Sequence, residues 1–263
     1  MFLVAWLTFK NVFKDRIALI ILSMVLLYVS IPVFSSFSMR QIQEVSITMS
    51  LTLNSFILLF LSIFGATATV WRDIERKFVY TILSYPIKRS DYLIGRFLGF
   101  ALLMFFVATV NFILSVISIH LCAGMYKSRL PIMWNSIALS FVFSYMQYIL
   151  LMAFGFLFAS FSTSFFMPFF ATISVFIAGN ASQGIYDYIL HSSKAHYSLL
   201  SQTVIKIIYY IVPNFSSFDL TAYATYALKM NYSNIISTFI YFVLYFTIIV
   251  SLTNIIFSRR NLI

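Results

Sequence analysis

The sequence predicts an all-α membrane protein with six transmembrane helices, on two compositional facts and one pattern. Apolar residues occupy 62% of the 263 positions and charged residues only 9%. A soluble domain carries about 25% charged and about 45–50% apolar residues, so this chain lacks the polar surface that water demands. The 31 Phe and 17 Tyr suit lipid tails and the headgroup boundary. The pattern is a set of six apolar runs, each long enough to cross a hydrocarbon core of about 30 Å at about 1.5 Å rise per residue. They lie at 17–37, 51–71, 97–122, 132–159, 165–186 and 235–257.

The first element precedes the first run. Phe2, Trp6, Phe9 and Phe13 recur at helical spacing, with Lys10, Asn11, Lys14 and Asp15 elsewhere on the same helix. This reads as an amphipathic helix lying in the membrane interface. The alternative is a simple extension of the first span, but Asp15 and Arg16 interrupt the apolar run at the junction. No small-residue cleavage site follows that run, so a cleaved signal peptide is not expected. Runs four and five are separated by Ser160-Phe161-Ser162-Thr163-Ser164, shortly before Pro168. Residues 132–186 are too many for one span, so this cluster is expected to form a tight turn. Positions 187–234 are too polar to span and too apolar for a free loop. Short helices in a re-entrant outer segment satisfy both constraints. Neither an internal repeat nor a linker is evident, and one domain over 1–263 is the expected organisation.

Lys/Arg bias orients the chain. With the N-terminus inside, inner segments hold 11 of the 17 Lys and Arg, and both termini are cytoplasmic and basic. The net charge of +10 is therefore topological: the basic residues flank apolar segments and form no stripe with exposed aromatics, so nucleic acid is not an expected partner. The single Cys122 excludes an intramolecular disulfide and a multi-Cys metal site. His191 and His196 have no nearby Cys or carboxylate pattern that makes a metal centre, and no metal or cofactor is expected in this chain. No P-loop, H-E-x-x-H or G-x-S-x-G motif occurs. The interiors of the six runs contain no Asp, Glu, Lys or Arg, which disfavours an ion-driven carrier, because proton and ion relays use such groups. Energy for any uphill movement is expected to enter from outside the bundle.

The port for it is the charged loop 72–96. Asp73 and Glu75 favour a helix N-terminus through the macrodipole. Ile74, Phe78, Ile82 and Tyr85 form one apolar stripe at helical spacing. Pro86 ends that helix, because the residue before a proline avoids the α region. Ser90 is placed to cap a new helix with Asp91 in its first turn, running through Gly95 and Gly99 into the third span. The stripe can pack on the protein's own bundle or contact a partner. The termination at both ends favours a partner.

The stretch ERKFVYTILSYPIKRSDYLIGRFLG resembles the first cytoplasmic loop of the ABC transporter type-2 permeases. The matching positions are Glu75, Thr81, Leu83, Pro86, Ile87, Arg89, Tyr92, Gly95, Arg96 and Gly99. Pro213-Asn214-Phe215 followed by Phe218 also resembles a stretch before the last span of many members. Where many members carry a Gly after their acidic residues, this chain has Arg76-Lys77-Phe78-Val79. The resemblance implies a permease subunit in the inner (cytoplasmic) membrane, paired with a second permease chain as a homodimer or heterodimer. It implies a separate ABC ATPase subunit that carries ATP and magnesium. It makes the loop helix a coupling helix, with Ile74, Glu75, Phe78, Ile82, Leu83, Tyr85 and Pro86 as the ATPase contact. It also implies that the second and fifth spans line the translocation path, which here offers Asn54, Ser55, Ser62, Phe166, Phe169, Phe170 and Asn180. Hydroxyls and aromatics without charge suit an apolar or amphipathic substrate; the same residues also serve helix association and lipid contact. Two other classes stay open: a lipid-modifying membrane enzyme drawing on Asp187, His191, His196 and Asp219, and a non-transporting anchor or signalling subunit for an ABC ATPase.

Overall fold

The structure, a computed structural model, describes residues 2–14, 17–38, 40–66, 71, 89–125, 128, 130–164, 166–191, 203, 209 and 212–259. Among these, every regular element is helical. In chain order they are α1 (Phe2–Lys14), α2 (Ile17–Ser36), α3 (Ile42–Phe60), a π-helix (Leu61–Ala66), α4 (Arg89–Met125), α5 (Trp134–Phe161) and α6 (Phe166–His191). A 3₁₀ turn (Phe215–Phe218), a short α7 (Thr221–Thr225) and α8 (Tyr232–Arg259) follow. Four stretches are long and apolar enough to cross a membrane: Ile42–Gly65, Arg89–Met125, Trp134–Phe161 and Tyr232–Arg259. Helices α2 and α6 stand at the first and fifth expected runs.

Burial ranks these helices. The most apolar window of α5 is 72% buried and that of α8 only 6%, so α5 is the central post and α8 lies at the edge. Helix α5 packs on α8, α6, α4, α3 and the π-helix. Its apolar core, including Leu150, Leu151, Met152 and Phe156, is closed to solvent. The exposed large residues form the lipid-type exterior expected of this composition, among them Phe56 and Phe60 on α3 and Phe239, Leu244 and Ile248 on α8.

Two boundaries differ from the sequence expectation. The second helix begins at Ile42, not 51, and so includes Gln43, Glu44, Ser46 and Ser50. These residues dilute hydropathy, yet Gln43, Ser46 and Ser50 are buried. Gln43 donates through Nε2 to the Leu130 carbonyl at 3.1 Å, and Ser128 donates through Oγ to the Glu44 carboxylate. Tertiary partners supply what lipid cannot, and the helix extends. The third helix spans 37 residues from Arg89, with Asp91 in its first turn. At about 1.5 Å per residue that is about 55 Å, far beyond the hydrocarbon thickness.

The Ser/Thr cluster between α5 and α6 turns the chain. Ser162 leaves the helix in an extended conformation. Its hydroxyl donates to the Ser164 carbonyl at 2.6 Å and accepts from the Ser164 N–H at 3.2 Å. A side chain that bonds its neighbours' backbone competes with helix continuation.

Helix α1 is present and lies along α4, but the face that docks is not the aromatic one. Val4, Ala5 and Thr8 are buried, while Trp6 is 56% exposed. The contact is made where α4 has Gly99: a Cβ built there would stand 2.6 Å from Thr8 Cβ and 2.7 Å from the Ala5 carbonyl. Small residues allow two backbones to approach, which is the usual basis of helix association in lipid. Of the aromatic positions, Trp6 is left for the surroundings, while Phe9, its ring 6.0 Å from that of Trp6, is half-buried against the core.

A buried polar seam joins α2, α3 and α4. Asn111 Nδ2 donates to Asn54 Oδ1 at 3.1 Å, and both residues are fully buried. Asn54 Nδ2 and Asn111 Oδ1 have no other partner among the described residues. Tyr28 extends the seam, donating through Oη to the Ser50 carbonyl at 3.4 Å while its own carbonyl accepts from Ser118 Oγ at 3.2 Å. Removing one amide strands the other, at about 1–3 kcal/mol for a buried unsatisfied group. Asn54→Leu and Asn111→Leu are each expected to lower stability in mixed-micelle unfolding by about 1–2 kcal/mol. The double variant should lose clearly less than their sum. Additive losses would show that the two amides do not act as a pair.

Candidate functional site

The described residues offer two places where function can reside, at opposite ends of the bundle. One adjoins the 72–96 loop. The other lies between α6, the 212–231 segment and the start of α8.

At the loop end, the first turns of α4 are tied to two other helices. Arg89 donates through Nη1 to the Ser258 carbonyl on α8 at 3.1 Å. One turn on, the Tyr92 ring stacks on Phe257 with centroids 6.1 Å apart, and both are buried. Arg96 donates through Nη1 to Thr8 Oγ1 on α1 at 3.2 Å, and its guanidinium lies 5.8 Å from the centre of the Tyr92 ring. Thr8 in turn donates to the Val4 carbonyl at 2.7 Å. A buried cation is costly unless it is paired or solvated by dipoles, and here the hydroxyl and the aromatic face serve. The start of α4 is therefore held to α1 and to the last turn of α8. The other flank of the loop is the π-helix Leu61–Ala66. Its Phe64 ring contacts Phe169 at 4.7 Å, and Ser62 is buried with its hydroxyl donated to the Leu59 carbonyl at 2.9 Å. Short π segments inside α-helices recur at functional sites. The loop residues Ile74, Glu75, Phe78, Ile82, Leu83, Tyr85 and Pro86 lie outside the described residues.

At the opposite end the chain folds back onto the bundle. Phe215 and Phe218 are fully buried, and Phe215 sits against Gly179 of α6. A network of neutral groups holds the turn. Asn214 Nδ2 donates to Gln183 Oε1 at 2.7 Å, and Tyr209 Oη donates to the same oxygen at 2.9 Å. The Asn214 N–H donates to Tyr241 Oη on α8 at 2.8 Å, and Ser216 Oγ donates to the Asn180 carbonyl at 2.8 Å. Beside this network lies an open cavity of about 720 Å³, walled by Asn214, Ser217, Asp219 and Tyr223 on one side and by Asn231, Asn234 and Thr238 on the other. A second cavity of about 440 Å³ adjoins it, sharing Ser237 and Thr238 and reaching Tyr241 and Tyr245.

The residues expected on a translocation path fall into three settings. Asn54 and Ser62 are fully buried against neighbouring helices, and Ser55 is half-buried beside Tyr148. Phe166 and Phe170 are on the exterior, at 64% and 59% exposure, while Phe169 is half-buried. Asn180 donates through Nδ2 to the Phe176 carbonyl at 2.9 Å and anchors the folded-back turn through its own carbonyl. Of the acidic and histidine residues at this end, Asp219 lines the larger cavity and Asp187 accepts from Gln183 Nε2 at 2.9 Å. His196 and the side chain of His191 lie outside the described residues.

Sequence reasoning missed the polar wall on α8 and the partner of Asn54. The first had a signal: Asn231, Asn234 and Thr238 recur at helical spacing where the apolar run begins. Asn111 had a weaker one, a single amide inside a long apolar run.

No protein-family model matches the chain, and no curated protein matches it.

Proposed function

We propose that the chain is the membrane-spanning permease subunit of an ATP-driven ABC transporter, an exporter of an apolar or amphipathic substrate, driven through the 72–96 loop by a separate ATPase subunit. The observation that carries this reading is the residue pattern from Glu75 to Gly99, in which an amphipathic stripe ends at Pro86 and a new helix leads directly into a span. In this reading the bundle has six spans, with α1 in the cytoplasmic interface and both termini cytoplasmic. The 212–231 segment is re-entrant, and the chain pairs with a second permease chain.

The geometry at the loop end supports the mechanics of such a subunit. A force delivered to the loop passes into the first turns of α4. Because Arg89 and Tyr92 join α4 to α8, and Arg96 joins it to α1, the three helices are disposed to move together. Rigid-body displacement of packed elements is a recognised form of switching. The chemistry of ATP hydrolysis, with its magnesium, belongs to the partner. This chain's residues supply the lever.

The test is co-purification followed by flux. The tagged full chain is expected to bring down an ABC ATPase from its native membrane, and vesicles holding both are expected to show ATP-dependent substrate efflux. Glu75→Arg should cut coupled transport at least 10-fold while leaving the chain folded and membrane-inserted. Unchanged transport in Glu75→Arg and in Pro86→Ala would refute the coupling role of the loop. ATPase association without any flux would favour an anchor or signalling subunit.

A further inference from the structure

We infer that the paired cavities along the start of α8 bind an amphiphile with an uncharged, hydroxyl-rich headgroup. The head occupies the space between the 214–223 segment and Asn231–Thr238, and the tail lies along Tyr241 and Tyr245. The inference goes beyond the permease reading and does not depend on an ATPase partner.

The lining specifies the head. Asn231 and Asn234 bring amides from one wall; from the other, Ser216 and Ser217 donate to the Asn180 and Asn214 carbonyls and keep their oxygens as acceptors for a hydroxyl donor. An amide offers both donors and an acceptor, and a hydroxyl offers one donor and two acceptor sites. Vicinal hydroxyls of a polyol present the same alternation, so each side can satisfy the other. Asp219 is the one carboxylate among the described lining residues, and none of them is Lys, Arg or His. Among the described walls that balance favours an uncharged head over a phosphate or sulfate. Asp219 Oδ1 already accepts the Thr221 N–H at 2.9 Å, so its carboxylate is partly engaged in starting α7. The remaining wall is neutral, which favours a polyol over a cation. Tyr223 adds an aromatic surface with a polar tip, suited to the apolar faces of a sugar ring.

The lining also changes along the helix. The larger cavity reaches Asn231, Asn234 and Thr238, and the adjoining one reaches Tyr241 and Tyr245. A third cavity, of about 140 Å³, is walled by Phe97, Phe156, Phe246 and Val250. Along α8 the lining thus passes from amides and hydroxyls to tyrosines, and farther along the helix a separate cavity is walled mainly by apolar side chains. From Asn234 to Tyr245 the helix advances about 16 Å at about 1.5 Å per residue. Both larger cavities fall in the usual range of ligand pockets, about 300–1,000 Å³. A polar solute alone leaves the tyrosine stretch unfilled, and a hydrocarbon alone leaves the amides unpaired. A molecule with both parts meets both walls.

The full chain in phosphatidylcholine nanodiscs, with no ATPase added, tests the site. The probe is an alkyl glucoside with a diazirine in its chain, and the labelled peptide is mapped by mass spectrometry. Label is expected on residues 232–245. Octyl glucoside should compete at a concentration at least 10-fold lower than octyl sulfate or octyltrimethylammonium. Asn234→Leu with Thr238→Leu should reduce labelling at least 10-fold at an unchanged thermal midpoint. Equal competition by the three heads would reveal an adventitious apolar groove and overturn the proposal. So would preference for the ammonium, which assigns recognition to Asp219, preference for the sulfate, or absence of label from α8. Because no ATPase is present, none of these outcomes bears on the coupling loop.

Discussion

Gly179→Ala is expected to dislodge the folded-back turn and destabilise the protein by about 3 kcal/mol, whereas Gly184→Ala on the same helix is expected to be neutral or stabilising by up to about 1 kcal/mol. A Cβ at Gly179 would stand 2.4 Å from Phe215 Cδ2 and 2.5 Å from the Pro213 carbonyl oxygen. The ring end has some freedom, but the carbonyl is backbone and sits in the turn fixed by Asn214. Overpacking of this kind typically costs about 1–3 kcal/mol, and a backbone obstacle places the change at the upper end. At Gly184 nothing among the described residues comes within 4 Å of the added carbon. Only the helix propensity changes there, and Ala exceeds Gly by up to about 1 kcal/mol. Thermal or denaturant unfolding in micelles measures both. Equal stability of the two alanine variants would mean that Phe215 is not seated against α6.

Gly99→Val is the second large effect. Its Cβ would meet Thr8 Cβ at 2.6 Å and the Ala5 carbonyl at 2.7 Å, so α1 has to leave α4. Separation also removes the hydroxyl that Arg96 bonds and leaves that buried guanidinium short of a partner. We expect a loss of about 3 kcal/mol, from overpacking together with one charge-assisted hydrogen bond. The control is Gly124→Val near the far end of α4, where no atom of the described residues lies within 4 Å of an added Cβ. An Ala5→Cys thiol, buried in the native contact, should become reactive in Gly99→Val and stay protected in Gly124→Val. Protection in both would show that α1 does not dock at Gly99. In the permease reading, Gly99→Val also weakens coupling, because α1 no longer follows α4.

Much of the architecture was legible because lipid is a demanding solvent. A helix that crosses it must be apolar for about 20 residues, and four of the expected runs appear as helices of that kind. The turn at Ser162 was legible for a similar reason, since Ser/Thr clusters act on the backbone next to them, whereas Ser90, expected as a cap, lies inside α4, which already includes Arg89. The beginning of α3 was not legible. Its polar residues look like loop until Leu130 and Ser128 are brought to them by a fold. Likewise the aromatic stripe of α1 announced a helix but not its docking face, which depends on a glycine some 90 positions away.

The sequence by itself determined the solvent, the helical class and the positions of the long apolar runs, because those depend only on transfer free energy and local backbone preference. Tertiary structure alone decided which glycines are contacts, which amides pair across helices and where neutral polar side chains gather into a cavity. Gly99 and Gly124 look alike in the chain, as do Gly179 and Gly184. They differ only in what the folded protein brings within a few ångströms of them.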